Sequence, residues 1–231
     1  PKSAEVIKPF LIGREVKRYE LPVNKSWLIM LPKGWSFSKG WGIRNAWSSL
    51  VKEYPAIAAH LISHEEKGKA RCDQGDFWWE LRACDYYGAF ELDKIIYPNI
   101  CDRNIFTYDS EGLYTNQKCF IIPGGSYALL GVLNSSVWFF LYKQVLPKLR
   151  GGFFEPSYVF LKDFSIPVID VESEKTLTAS VKALLEEKNT TLDQGSQAQA
   201  RTLKIEALEA AIDDLVFKLY GLNEDEIEII K

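Results

Sequence analysis

Three polar stretches of this 231-residue chain carry side chains whose chemistry suits base edges and phosphates. The first, rich in Gly, Ser, Trp and Lys, holds Ser36, Ser38, Lys39 and Trp41 and runs on to Arg44 and Asn45; the second holds Lys67, Lys69, Arg71, Asp73 and Gln74. The third holds Lys148 and Arg150, followed by Gly151-Gly152. Arg and Lys can pair with guanine O6 and N7 in a major groove, Asn and Gln with adenine, and Asp or Glu can accept from cytosine. Side chains that read bases belong on projecting loops, with cations near them to hold the phosphates. The competing reading of each stretch is ordinary solvated surface, because the same residues populate most exposed loops.

Other chemistries find less support. His60 and His64 are four apart on an expected helix and could share a metal, but there is no HExxH and no third ligand, so they are expected as exposed helix residues. Cys72, Cys84, Cys101 and Cys119 form no CxxC pair, which argues for reduced thiols rather than a zinc site or disulfide framework. Asp170, Glu186 and Lys188 match the letters of a metal-dependent nuclease, yet the latter two close a polar helix instead of lying on a strand. No Ser/His/Asp or Cys/His nucleophile arrangement is evident.

The elements that must position the loops are legible from pattern. SWLIMLP at 26–32 reads as a strand; Leu50, Tyr54, Ile57, Leu61 and Ile62 space a helical region over 45–66, with Pro55 starting or kinking it. Residues 64–88 read as a long excursion ending in a strand around Phe77 to Leu81. Strands are expected at 94–101, 105–109 and 118–122, the last stopped by Pro123-Gly124-Gly125. Leu130, Leu133, Val137 and Phe140 or Leu141 then space a helix with a wide apolar face. Two amphipathic helices follow, at about 174–188 and 198–220, joined by a turn at NTTLDQGS; Gly221 stops the second, and Asn223 with Glu226 forms a capping box for a last short helix.

The order of these pieces resembles the TaqI-like C-terminal specificity domain, the target-recognition domain of adenine-specific DNA methyltransferases and fused type IIG restriction-modification enzymes. The matching pieces are Lys94 to Pro98, Tyr108 to Gly112, Asn116 to Lys118, Leu133 to Ser135, Arg150 to Gly152 and Ile166-Pro167, extended by IKPFLIGREVKRY at 7–19 and AIDDLVFKLYGLNEDEIEII at 211–230. The resemblance implies an α/β (mixed α+β) fold, with a small mixed or antiparallel sheet, packed helices and a C-terminal helical hairpin. It divides the chain into a connector from an upstream catalytic domain (1–24), a target-recognition domain (25–170), and the hairpin with its short capping helix (171–231). It also implies double-stranded DNA as partner, with Lys17, Arg18 and Lys94 touching phosphates or docking on the methyltransferase domain. Neither the Gly-rich cofactor loop nor the Asn/Asp-Pro-Pro-Tyr/Phe motif of such enzymes occurs here. No cofactor is therefore expected in this fragment; S-adenosylmethionine is expected for the parent, and Mg²⁺ if the parent also cleaves DNA.

Composition fits that expectation. Apolar residues make up 47% of the chain, enough for a real core, and the apolar run over 128–142 is broken by Asn134-Ser135-Ser136, too short to span a membrane. The chain starts at Pro1 and its one methionine is Met30, which suggests a piece of a larger protein, cytoplasmic in a bacterium or archaeon. The net charge of −3 conceals an asymmetry: residues 1–165 carry 21 Lys and Arg against 17 Asp and Glu, whereas residues 166–231 carry 7 against 14. The acidic hairpin is expected to pack on protein, since it repels phosphates. Two rivals stay open: a protein-interaction module without base readout, and an independent hydrolase with a site at His60, His64 and the acidic residues.

Overall fold

A computed structural model describes residues 2–23, 25–190 and 197–231, and the fold is mixed α/β. The chain forms two compact units, each assembled from separated segments: Pro1–Phe10 with Asn24–Glu91, and Leu11–Val23 with Leu92–Lys231. Neither unit follows the linear division into connector, body and hairpin.

In the first unit, β1 (Ile7–Leu11) runs antiparallel to β2 (Ser26–Ile29), with Ile7 opposite Ile29 and Phe10 opposite Ser26. Four helices follow: α1 (Trp35–Ser38), α2 (Ala46–Glu53), α3 (Pro55–Ile62) and α4 (Glu65–Lys69). Pro55 is the first residue of α3, where its missing N–H costs no hydrogen bond, so it starts a new helix rather than kinking one. The expected stripe is buried at Leu50, Tyr54 and Ile57, which pack with Val6, Leu31, Trp41 and Trp79.

The strand expected at Phe77 to Leu81 does not form. These residues turn, with one isolated bridge between Gln74 and Leu81. Three aromatics in a row bury more area as rings than as a strand: Phe77 stacks on Trp79 at 4.6 Å, and Trp47 lies 5.2 Å from both Trp78 and Trp79.

The second unit is built on β3 (Lys94–Pro98), flanked antiparallel by β4 (Thr107–Asp109) and β6 (Cys119–Pro123), with the two-residue β5 (Tyr114–Thr115) between the latter in sequence. Every β3 residue is buried, which accounts for its unbroken run KIIYP. Ile95 sits opposite Tyr108 on one side and Ile122 on the other.

The apolar segment after Gly125 makes two helices, α5 (Tyr127–Asn134) and α6 (Ser136–Val145), rather than one. Ser135 adopts an extended backbone, accepts from the Trp138 amide at 3.4 Å and donates to the Val132 carbonyl at 2.7 Å. Asn134 binds the Phe106 backbone in both directions, at 2.9 and 3.0 Å. Its amide thus extends the sheet edge into the helix break. Beyond α7 (Tyr158–Leu161), the long helices α8 (Val171–Asn189) and α9 (Gln197–Tyr220) lead to α10 (Glu224–Ile230). Asp170 caps α8 by accepting from the Glu172 and Ser173 amides, Gly221 takes a φ of 66°, and the Asn223–Glu226 capping box forms as expected. The expected turn at NTTLDQGS lies mostly at 191–196, outside the described residues.

The hairpin is part of the main core. Leu177, Val181, Leu184 and Leu185 of α8 and Ile212, Val216 and Phe217 of α9 are buried with Ile95, Phe106, Leu130, Leu133 and Trp138. Segment 11–23 enters the same core through fully buried Tyr19, whose φ of 58° is a left-handed conformation uncommon for a side chain of this size. Its amide bonds the Phe106 carbonyl at 3.2 Å.

Candidate nucleic-acid interface

In the first unit, the two polar stretches are tied together from beneath by one buried carboxylate. Glu80 is fully buried and accepts from the amides of Gly34 at 3.2 Å, Ser36 at 2.8 Å and Asp76 at 2.9 Å. The Trp79 indole donates to the Ser36 hydroxyl at 3.1 Å. Gly75 must lack a side chain, because a Cβ there would come within 2.5 Å of Glu80.

Arg71 is occupied internally: Nη2 donates to the carbonyls of Trp78 and Glu80, both at 2.8 Å. Gln74 donates to the carbonyls of Lys69 at 3.0 Å and Arg71 at 2.8 Å. Both residues build the loop. The stretch is moreover not all loop, since α4 carries Lys67 and Lys69, and Lys69 pairs with Glu65 at 2.6 Å. Lys39 stands 3.7 Å from Glu5 and over the rings of Trp35 and Tyr54. Arg44, Asn45 and Lys67 remain exposed; among the described residues neither Arg44 nor Lys67 forms an ion pair, and Asn45 makes no side-chain capping bond. His60 and His64 are exposed with ring centroids 5.2 Å apart, and the described residues hold no group of three His, Cys, Asp or Glu able to bind a metal.

In the second unit, Lys94 is corrected from a surface role. Its side chain is 0% exposed and forms an ion pair with Asp109, itself 1% exposed. The Asp109 carboxylate also accepts from the Glu111 and Leu113 amides, each at 2.9 Å, so the pair staples β3 to β4 and its turn. In this fold the ammonium presents no exposed surface to a phosphate.

Arg18 is likewise held within the fold. It donates to the Asn134 carbonyl at 2.8 and 3.2 Å and pairs with Glu209 at 2.6 Å; Lys188 completes the cluster at 2.7 Å from Glu209. Burial alone would raise the Glu209 pKa, but the two cations outweigh it and hold the carboxyl below its ordinary value. Nearby Asp213 is shifted the other way, pushed up by burial while it accepts from the Ser136 amide at 2.9 Å. Of the basic positions in segment 11–23, Lys17 stays largely exposed, 3.5 Å from Glu20.

Lys148 and Arg150 lie on a projecting turn. Leu149 and Phe153 close it at 2.7 Å, Gly151 and Gly152 take φ of 86° and 81°, and Phe154 is bonded both ways to Cys101. Lys148, Arg150 and both glycines are exposed.

Pattern alone did not single out a cleft of about 410 Å³ in this unit, lined by Ile12, Gly13, Arg14, Pro98, Asn99, Ile100 and Lys118. Its three strands of chain are distant in sequence, and only the tertiary fold joins them. Ile12, Gly13, Arg14, Pro98 and Lys118 fall within pieces that carry the family resemblance, but nothing in their spacing shows that they meet.

Small antiparallel sheets buttressed by helices, with exposed cations on their connecting turns, make the molecule a mixed α/β domain. The chain belongs to the family of TaqI-like C-terminal specificity domains, whose model matches residues 8–167. It is similar in fold to the Type IIL restriction-modification enzyme MmeI, solved in complex with DNA, with a TM-score of 0.58 and 14% identity. The similarity covers 96% of this chain and 29% of MmeI, so the chain spans under a third of that enzyme's length. No curated protein matches by sequence.

Proposed function

We propose that this chain is the DNA target-recognition domain of a restriction-modification enzyme, without catalytic activity of its own. The observation that carries the reading is membership of the specificity-domain family over most of the chain. The parent would be an adenine-specific methyltransferase that uses S-adenosylmethionine, with its catalytic domain upstream and with Mg²⁺ if it also cuts. Binding of that cofactor belongs outside this chain, which contains neither the Gly-rich loop nor the Asn/Asp-Pro-Pro-Tyr/Phe motif. Methylation of a base in duplex requires flipping it from the stack, and a specificity domain serves by closing on the DNA beside the flipped base.

Among the residues expected to face DNA, exposure favours Arg44, Asn45, Lys67, Lys148, Arg150 and Lys17 over Arg18, Arg71, Gln74 and Lys94. Arg44 and Asn45 carry the fork and amide suited to guanine and adenine, whereas Lys67 and Lys148 suit phosphates. The test is selection of bound duplexes from a random pool by the full chain, followed by Arg44→Ala and Lys67→Ala. Arg44→Ala should relax preference at one base pair, a loss of about 1–3 kcal/mol in discrimination, and Lys67→Ala should weaken all duplexes alike. Binding with no sequence preference would sink the reading.

A second reading, a protein-interaction module, draws on the exposed apolar residues Tyr158 at 70%, Val159 at 65%, Val168 at 95% and Val171 at 70%. It would be favoured if the chain ignored duplex DNA and Tyr158→Ser with Val168→Ser released a protein partner.

A further inference from the structure

The cleft of about 410 Å³ in the second unit combines apolar lining residues with two exposed cations. Ile12, Pro98 and Ile100 supply apolar lining, and Gly13 completes it. Arg14 and Lys118 are both exposed, and among the described residues neither forms an ion pair, in contrast to Arg18 and Lys94 of the same unit. Asn99, half-buried, is a further polar residue of the lining.

The walls are held by backbone contacts. The Asn99 amide donates to the Lys118 carbonyl at 2.9 Å, and a Cβ on Gly13 would fall 2.7 Å from that same oxygen, so only glycine permits this approach. The Ile12 amide is bound by the Glu15 carboxylate at 3.0 Å, and the Lys118 amide by Asn116 Oδ1 at 3.0 Å. Side-chain acceptors thus hold a backbone amide of each turn that carries a basic residue. A volume of this size lies within the range of small-ligand sites, and its mixture of apolar lining and two cations outside any ion pair suits a sugar-phosphate.

We infer that this cleft is a phosphate-ester site that takes the backbone of a nucleic-acid strand, the sugar resting on Ile12, Pro98 and Ile100 and the phosphate held by Arg14 and Lys118. The inference deepens the DNA-recognition reading and rests on it for the source of the phosphate. Such a site supplies affinity and register without reading sequence.

Two measurements on the full chain separate the inference from that reading. In the first, duplex binding is followed against salt for wild type, Arg14→Gln and Lys118→Gln. Each variant should weaken all duplexes alike and make the plot of log affinity against log salt shallower by about one, leaving the ranking of sequences unchanged. Equal urea midpoints would show that these surface changes leave the fold intact.

In the second, the thymidine dinucleotide dTpdT is titrated and backbone amide shifts are recorded. Shifts at Gly13, Arg14, Asn99 and Lys118 that Arg14→Gln reduces would support the site even if the chain bound no duplex, in which case only the DNA-recognition reading falls. Duplex binding with unaltered salt slopes in both variants would overturn the cleft and leave that reading standing. Silence of these four amides toward both dinucleotide and duplex would overturn it as well.

Discussion

At the scale of single residues, the division between exposed and internally bonded cations decides which of them can meet a ligand. Lys94 opens one of the segments that resemble the family, yet its ammonium is sealed against Asp109 between β3 and β4. Removing one partner of a buried pair leaves the other charge without compensation, at a cost of about 3–5 kcal/mol. Lys94→Ala should therefore lower stability in urea by about that amount, with the two amide bonds to Asp109 keeping it toward the low end. The folded fraction should bind duplex DNA as wild type does, and a binding loss in fully folded protein would return Lys94 to the interface. Composition cannot distinguish such a lysine from a phosphate-binding one, because both appear as a cation at a strand start. Arg71 is as ambiguous in the sequence: a planar five-donor fork serves two backbone carbonyls as well as it serves guanine.

Among elements, periodicity carried the regular parts and failed where polar side chains capture backbone. The strands β3, β4 and β6, the helix beginning at Pro55, the long hairpin helices and the Asn223 capping box follow from β-branched runs, apolar spacing and caps. The break between α5 and α6 sits at Asn134-Ser135-Ser136, a triplet visible in the sequence, whose effect depends on the Phe106 backbone lying beside it. The turn at residues 77–80 depends in the same way on Glu80. An acidic residue after three aromatics gives no sign that it will accept from three amides up to 46 positions away. Because these bonds anchor the turns that precede Arg44 and follow Lys67, Glu80→Ala should loosen both at once. Losing about 3 kcal/mol of satisfied donors corresponds to roughly hundredfold faster hydrogen exchange at Gly34, Ser36 and Asp76. Glu80→Gln, which retains an acceptor, should exchange at an intermediate rate. Unchanged exchange in Glu80→Ala would mean that the aromatic cluster of Trp47, Phe77 and Trp79 holds the turns without it.

For the whole molecule, the linear division by composition and the division by packing disagree. The acidic, amphipathic stretch after residue 170 reads as a separate hairpin, yet its apolar faces complete the core around β3, α5 and α6. Gly131 shows how close the fit is, since a Cβ on α5 would meet Leu177 and Val181 of α8 at 3.0 Å. The charge asymmetry is compatible with this placement, because Glu209 of α9 meets Arg18 and Lys188 within the fold. A chain ending at residue 170 would expose the surfaces covered by Leu177, Val181, Leu184, Leu185, Ile212, Val216 and Phe217. Each buried side chain of this kind contributes about 1.5–3 kcal/mol, so seven together contribute roughly 10–21 kcal/mol, as much as the whole 5–15 kcal/mol by which a domain is ordinarily stable. The truncated chain is expected to lose dispersed amide signals for β3, β4 and β6 and to bind an apolar dye. Signals from Leu50, Tyr54 and Ile57 report on the first unit, whose core lies wholly within residues 2–91. If the truncated chain instead kept a cooperative melt and native shifts for Ile95 and Phe106, the hairpin would be an appendage after all, and segment 11–23 with β3 to α6 would suffice as a core.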